Sequence, residues 1–269
     1  MRYAFAYGAD AVYAGQPRYS LRVRNNEFSL ENLAIGIKEA HALGKKFYVV
    51  SNIAPHNSKL GTYLKDISPV IAMKPDALIM SDPGLIMMVR DAFPEMPIHL
   101  SVQANAVNYA TVKFWQKQGI ERVILSRELS LEEIETIREH VPDMELEVFV
   151  HGALCMAYSG RCLLSGYMNK RDPNQGTCTN ACRWSYDVKA GQENETGDIV
   201  QANEIDKKGT APQMVIPTLG EGTPSTQVFM LEEKEKPGEL MPAFEDEHGT
   251  YIMNSKDLRA VQHVGRLTQ

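Results

Sequence analysis

The sequence predicts an α/β fold: an incomplete barrel of parallel βα units, of the TIM type, carrying a cysteine-rich segment and a long irregular acidic insertion. Three observations predict it. Short apolar runs alternate with helix-period segments over residues 1–150, as parallel βα units require. Polar residues stand at or just past the C-terminal ends of successive runs, where barrel enzymes build their sites. No G-x-G-x-x-G follows the first run, so a dinucleotide-binding open sheet lacks its phosphate-binding turn.

Residues 3–7 read as the tail of a helix feeding a first strand at 11–14. Ser29 caps a helix with Leu30, Leu33, Ile37 and Ala40 on one face, and Gly44 closes it. Strands follow at 47–50, 77–80 and 98–100. A helix at 107–118 stops at Gly119, and a fifth strand lies at 123–125. Ser130 and Glu133 form a capping box ahead of Leu131, Ile134 and Ile137. The sixth strand is 146–150. Runs this short and apolar suit strands buried on both faces. Their tips carry Ser51 and Asn52, Ser81 and Asp82, Ser101, Gln103 and Asn105, Arg127 and Glu128, and His151. Helix capping accounts for some of the Ser, Asn and Asp residues, but not for Gln103, Arg127 or His151.

The pattern gives three regions: a partial barrel at 1–188, including the cysteines at 155–182; an irregular insertion at 189–247; and a return to barrel strand and helix at 248–269. The insertion is rich in Gly, Pro, Glu and Thr, with one strand at 228–231. After it a strand at 250–253 is followed by a helix opened by Ser255 and continued by Leu258, Val261 and Val264. A closed eight-stranded barrel needs a strand before Tyr3 and more after Gln269. Met1 therefore reads as an internal methionine of a longer product.

Apolar residues make up 43% of the 269 and charged residues 23%, as in ordinary globular domains. No apolar run approaches the length of a membrane helix, and the N-terminal residues lack the pattern of a secretory signal. The expected compartment is the cytoplasm, where cysteines serve as metal ligands or redox thiols more than as disulfides. Charge is unevenly spread. Residues 191–248 hold 13 acidic residues against 4 lysines, whereas 160–184 carries Arg161, Lys170, Arg171 and Arg183 against Asp172 alone. Those cations suit an anionic ligand, nucleic acid included, or form a solvated loop.

The four cysteines, Cys155, Cys162, Cys178 and Cys182, are spaced C-x6-C-x15-C-x3-C directly after the sixth strand. Thiolates are soft ligands that suit zinc or iron–sulfur clusters. Structural zinc favours two tight cysteine pairs, and only the second pair is tight here. The spacing leans to a cluster and leaves zinc and free redox thiols open.

The run E-x-F-x-x-G-A-L-C-x6-C-x-L-S at 147–165 resembles the signature of the collagenase-like peptidase family of unknown catalytic type. The resemblance continues through HLSVQAN (99–105), LSREL (125–129), NQGTC (174–178) and EDEHGTYIMNSKDL (245–258), and is closest to the family's tRNA-hydroxylating branch. It implies a β/α barrel and a role in making 5-hydroxyuridine at the wobble position of tRNA. It also implies a 4Fe–4S cluster on Cys155, Cys162, Cys178 and Cys182, with prephenate as a possible co-substrate. Relatives of full length are expected to begin with a further strand and to end in further barrel strands and a β-rich domain. Proteolysis, which the family's name advertises, has neither H-E-x-x-H nor G-x-S-x-G behind it, though a Cys155–His151 pair can be drawn.

On this reading His151, Arg127 and Glu147 are the candidate catalytic residues. Arg127 suits a carboxylate clamp, or a salt bridge to Glu128 or Glu147. His151 suits acid/base work or a hydrogen-bonded structural role. Gln103 and Asn105 read a base edge or satisfy backbone groups at the rim. Arg161, Lys170, Arg171 and Arg183 meet RNA phosphates. Tyr158 or Trp184 stacks on an unpaired base, with core packing the alternative for Trp184.

Overall fold

The computed structural model describes residues 1–21, 28–153, 162–193, 199–201, 229–234, 237–238, 240–243, 245–246, 249–250, 257–259 and 261–268. These fall into two units, Met1–Ala181 with Ser255–Gln269, and Cys182–Asn254. In the first, α1 (Arg2–Ala6) leads into β1 (Ala11–Gly15), α2 (Leu30–Ala42), β2 (Lys46–Ser51), α3 (Asn57–Ala72), β3 (Ala77–Met80) and α4 (Pro83–Ala92). Then come β4 (Ile98–Leu100), α5 (Tyr109–Lys117), β5 (Arg122–Ile124), α6 (Leu131–His140) and β6 (Glu145–Glu147). The six strands expected from the sequence are all present. They pair in parallel in the order β1-β2-β3-β4-β5-β6, forming a curled half-barrel. A doubly wound sheet reverses its strand order at a switch point. This one never reverses, which is barrel order.

Local chemistry sets the helix ends. Ser29 Oγ accepts the Asn32 N–H at 3.2 Å, and Gly44 ends α2 with φ +66°, a conformation that favours glycine. Ser130 and Glu133 close a reciprocal capping box on α6, at 3.3 and 2.7 Å. Asn108 Oδ1 caps α5 by accepting the Thr111 N–H at 2.9 Å. That cap explains why α5 starts at Tyr109 rather than at 107.

Side chains alternate across the sheet. Phe47, Val49, Leu78, Met80, Ile98, Leu100 and Val123 pack outward against Leu33, Tyr63, Ile67, Leu85, Val112 and Ile137 of the helices. Each such buried side chain contributes about 1.5–3 kcal/mol of transfer free energy. Tyr48, Val50, Ala77, Ile79 and Ile124 form a smaller cluster on the opposite, inner face. That face also carries His99, Arg122, Glu145 and Glu147, placed there by the same alternation.

β6 ends at Glu147, whose carbonyl accepts the Leu125 N–H at 2.9 Å. His151 is thus not the tip of a strand running through residue 150. It opens a separate strand, β7 (His151–Ala153), followed by α7 (Leu164–Asn169).

The second unit contains β8 (Tyr186–Glu193), β9 (Ile199–Gln201), β10 (Phe229–Glu233) and β11 (Leu240–Ala243). They form an antiparallel sheet in the order β11-β10-β8-β9, and β12 (Glu245–Asp246) pairs with β13 (Gly249–Thr250). Within 189–247 the described residues thus hold more than the one expected strand, and most of the rest of the insertion lies outside the described residues. Lys189 of β8 pairs with Glu232 of β10, so charge on the sheet surface masks its period of two.

β14 (Asp257–Arg259) pairs antiparallel with β7, and α8 (Val264–Leu267) follows. The helix expected from Ser255 thus begins later, because the ladder to β7 takes the backbone groups of 257–259; Ser255 itself lies outside the described residues. Arg266 of α8 donates to Glu132 and Glu135 of α6 at 2.6–3.0 Å. Among the described residues, no helix is long and apolar enough to cross a membrane.

Candidate functional site at the strand tips

Asn52, just past β2, is the hub of the rim. It is 8% exposed, and its Oδ1 accepts the Leu21 N–H at 3.1 Å. Its Nδ2 donates to Ser101 Oγ at 3.1 Å and to Gln103 Oε1 at 2.9 Å. Ser81 Oγ donates to the Asn52 carbonyl at 3.1 Å, and Ser101 Oγ donates to Gln103 Oε1. Three successive strand tips are thereby tied together by side chains. Gln103 sits in a 3-10 turn (Val102–Ala104) that ends at Asn105, held left-handed with φ 53°. Gln103 thus bonds to the Asn52 and Ser101 side chains, not to the backbone groups of the rim. Asp82 Oδ1 caps α4 through the Leu85 N–H at 2.8 Å. Asn52, Ser81, Asp82, Gln103 and Asn174 share the lining of a cavity of about 290 Å³ with Leu21, Ile53, Ala54, Pro83, Ala104 and Trp115.

Asn174 brings the cysteine segment to this rim. Its carbonyl accepts the Ala54 N–H at 2.9 Å, and its Nδ2 donates to the Cys162 carbonyl at 3.1 Å. Asp172 shapes the loop: Oδ1 accepts the Asn174 N–H at 2.9 Å, and its carbonyl accepts the Thr177 hydroxyl at 2.6 Å. Ser165, 1% exposed at the start of α7, donates its hydroxyl to Cys178 Sγ at 3.9 Å and accepts the Thr179 N–H at 3.1 Å. The Cys178 thiol faces Asn180 Oδ1 at 3.7 Å. Cys162 and Cys178 thus belong to one hydrogen-bonded segment. Cys162, Cys178 and Cys182 are half-buried and form no disulfide. Cys182 lies in the 3-10 turn Ala181–Arg183. Burial, then Glu233, then Cys182 push the neighbouring Tyr186 hydroxyl up to about 12. Cys155, Tyr158 and Arg161 lie outside the described residues. Among the described residues, no three Cys, His, Asp or Glu side chains are grouped closely enough to hold a metal ion. The donor chemistry nevertheless suits thiolate ligation, since the three described thiols are in no disulfide and Ser165 offers a proton to one sulfur.

The inner face carries a second polar group. Arg122 pairs with Glu145 Oε2 at 2.7 Å and with Glu147 Oε2 at 3.2 Å, and its guanidinium lies 5.5 Å from the Tyr48 ring centre. Glu147 therefore serves Arg122 and not Arg127. Arg127 stacks instead on Phe149, at 3.9 Å from the ring centre, which leaves its in-plane N–H groups at the edge of the stack. His99 meets the Tyr48 ring edge-on at 4.8 Å, and its Nδ1 has no partner among the described residues.

Burial, then Arg122, lower the His99 pKa to about 4. As pH falls the unfolded chain, with its ordinary histidine near 6.5, takes the proton first. This contribution to stability is thus complete above pH 6.5 and is lost toward pH 4. Between pH 7 and pH 5 the loss is expected to be about 2 kcal/mol, read from urea midpoints. The variant His99→Gln should lack that increment; an unchanged pH profile would contradict the assignment.

Of the other expected site residues, His151 is exposed on β7 opposite Arg259. Lys170 and Arg171 are exposed, with Lys170 left-handed at φ 52° after α7. Arg183 stands in the turn with Cys182, and Trp184 is half-buried. The roles of Asn174, His99 and Arg122 do not follow from the sequence patterns above. Asn174 had a signal, as the first residue of the NQGTC run. His99 and Arg122 show only as polar residues inside apolar strands.

The unreversed parallel sheet, with Asn174 of the cysteine segment tied to its C-terminal rim, defines a protein of the β/α half-barrel class. The chain matches Peptidase family U32 over residues 1–269 and belongs to that family. It is 75% identical over 269 residues to "tRNA hydroxylation protein P" of Escherichia coli (strain K12), covering 100% of this chain and 58% of that protein. It is 71% identical over 272 residues to the protein of the same name from Haemophilus influenzae, again covering 100% and 58%. A more distant relative is the "23S rRNA 5-hydroxycytidine C2501 synthase" of E. coli, 36% identical over 191 residues, 71% of this chain and 28% of that protein. The chain thus spans 58% of the length of the first two.

Proposed function

We propose that this protein takes part in hydroxylating the wobble uridine of tRNA to 5-hydroxyuridine, in the cytoplasm, with an iron–sulfur cluster as cofactor. The whole-chain likeness to two tRNA hydroxylation proteins carries this reading. The relative named for a 5-hydroxycytidine in rRNA supports the same chemistry, oxygen at C5 of a pyrimidine. Turning C5–H into C5–OH is an oxidation that no amino-acid side chain can drive, so a redox cofactor is needed. A cluster of the 4Fe–4S type, held by Cys155, Cys162, Cys178 and Cys182, supplies redox chemistry when bound.

The chain's own residues bind and orient. The Ser165 hydroxyl, aimed at Cys178 Sγ, stabilises charge on that sulfur. Arg127, flattened on Phe149, offers paired N–H groups to a carboxylate such as those of prephenate. Glu147, engaged by Arg122, orients the inner face. His151, exposed and near the cysteine segment in sequence, would move a proton. Gln103 and Asn105 meet the base. Arg161, Lys170, Arg171 and Arg183 meet RNA phosphates, and Tyr158 or Trp184 stacks on an unpaired base. Proteolysis is not proposed, because the chain has neither H-E-x-x-H nor G-x-S-x-G.

Charge reversal at Lys170 and Arg171 tests the RNA contact. Each lost phosphate contact should flatten the log–log dependence of RNA affinity on salt by about 0.7. An unchanged slope would remove these two residues from the interface.

A further inference from the structure

We propose that the cavity at the tips of β2, β3 and β4 holds the pyrimidine ring itself, and that an anionic co-substrate binds elsewhere. This rests on the RNA-hydroxylation reading and adds to it a site and a selection rule. The Leu21 N–H can only donate, so Asn52 must turn Oδ1 toward it and Nδ2 toward Gln103. Gln103 must therefore present Oε1 to Asn52 and Ser101. Its free end is Nε2, a donor.

Asn174 is fixed in the opposite sense. The Cys162 carbonyl can only accept, so Asn174 turns Nδ2 to it and keeps Oδ1, an acceptor, as its free end. Neither amide can flip without losing bonds already made. Both amides line the cavity and bring to it one donor and one acceptor of fixed sense, and a pyrimidine edge presents an acceptor beside a donor. Ile53, Pro83, Ala104 and Trp115 supply apolar wall.

Charge decides against the co-substrate. None of the described lining residues is cationic, whereas Asp82 brings a carboxylate. A carboxylate ligand would enter without a counter-charge, while a neutral ring has none to compensate. Asn174 of the cysteine segment lines the cavity and donates to the Cys162 carbonyl, so the ring would lie one residue removed from a proposed cluster ligand.

The test uses the protein with an anticodon stem-loop RNA carrying 5-iodouridine at the wobble position. Photo-crosslinks are expected on peptides containing residues 103–105 or 174. Crosslinks confined to Arg127 and Phe149 would overturn the assignment. The variant Gln103→Glu keeps an oxygen for Asn52 and Ser101 but replaces the donor by an acceptor. It should weaken RNA binding by about tenfold at an unchanged thermal midpoint, leaving binding of prephenate unaltered. Wild-type RNA affinity in that variant would equally overturn it. If cells carrying the wild-type protein make no hydroxylated wobble nucleoside, the function reading falls while the crosslink map still decides the cavity. If the nucleoside is made and the crosslinks lie elsewhere, only the cavity assignment falls.

Discussion

Replacing Cys178 by alanine is expected to leave a folded protein without colour, iron or acid-labile sulfide, where the anaerobically purified parent is brown and contains both. The expectation follows from what holds the segment in place. Its loop is tied down by the Ala54–Asn174 backbone bond, the Asn174–Cys162 bond and the Thr179–Ser165 bond. None of these uses the Cys178 sulfur, so the backbone keeps its path when the thiol goes. What disappears is one soft ligand and the proton acceptor that Ser165 faces. A cluster deprived of a thiolate is lost or labile, so the effect on iron content should be near-complete rather than graded. Colourless parent protein holding one zinc per chain would contradict the cluster and favour a structural metal site.

The second large effect is expected at Asn52. Its replacement by alanine removes the acceptor of the Leu21 N–H and the donor to Ser101 and Gln103. The residue is buried, so these groups lose partners where water has little access. Each group left unsatisfied costs about 1–3 kcal/mol, and because the network is shared the total should reach about 3 kcal/mol or more. The change should show as a lower urea midpoint with unaltered slope. A loss below about 1 kcal/mol would mean that the rim repacks or admits water, since a single ordinary hydrogen bond contributes that much.

The fold was legible where local chemistry and periodicity agree. Six apolar runs, Ser29, Gly44 and the Ser130–Glu133 box all point the same way as the tertiary structure. Legibility failed where pairing partners lie far apart in sequence. Residues 257–259 carry no strand pattern of their own; their ladder to β7 makes them one. The antiparallel sheet of the second unit was hidden because an acidic composition with Gly and Pro looks the same whether or not Lys189 meets Glu232.

The site divides in the same way. Gln103, Asn52 and Arg127 stood out as polar residues at strand tips, and the cysteine spacing stood out by itself. Their partners did not. That Gln103 answers to Asn52, Asn174 to Ala54 and Arg127 to Phe149 depends on the curl of the sheet, which no local pattern encodes. The alternative of an Arg127 salt bridge to Glu147 is displaced for a related reason: Arg122, opposite Glu145 in the β5–β6 register, reaches both acids on that face.

The proposed role in tRNA hydroxylation has a direct consequence for the nucleosides of the cell. It is tested most directly by mass spectrometry of tRNA nucleosides from cells lacking the related hydroxylation protein, with and without this protein supplied. 5-Hydroxyuridine-derived wobble nucleosides should return with the wild-type protein and stay absent with Cys155→Ala. Unchanged wobble nucleosides, together with casein or gelatin cleavage that depends on Cys155, would contradict it and leave a peptidase.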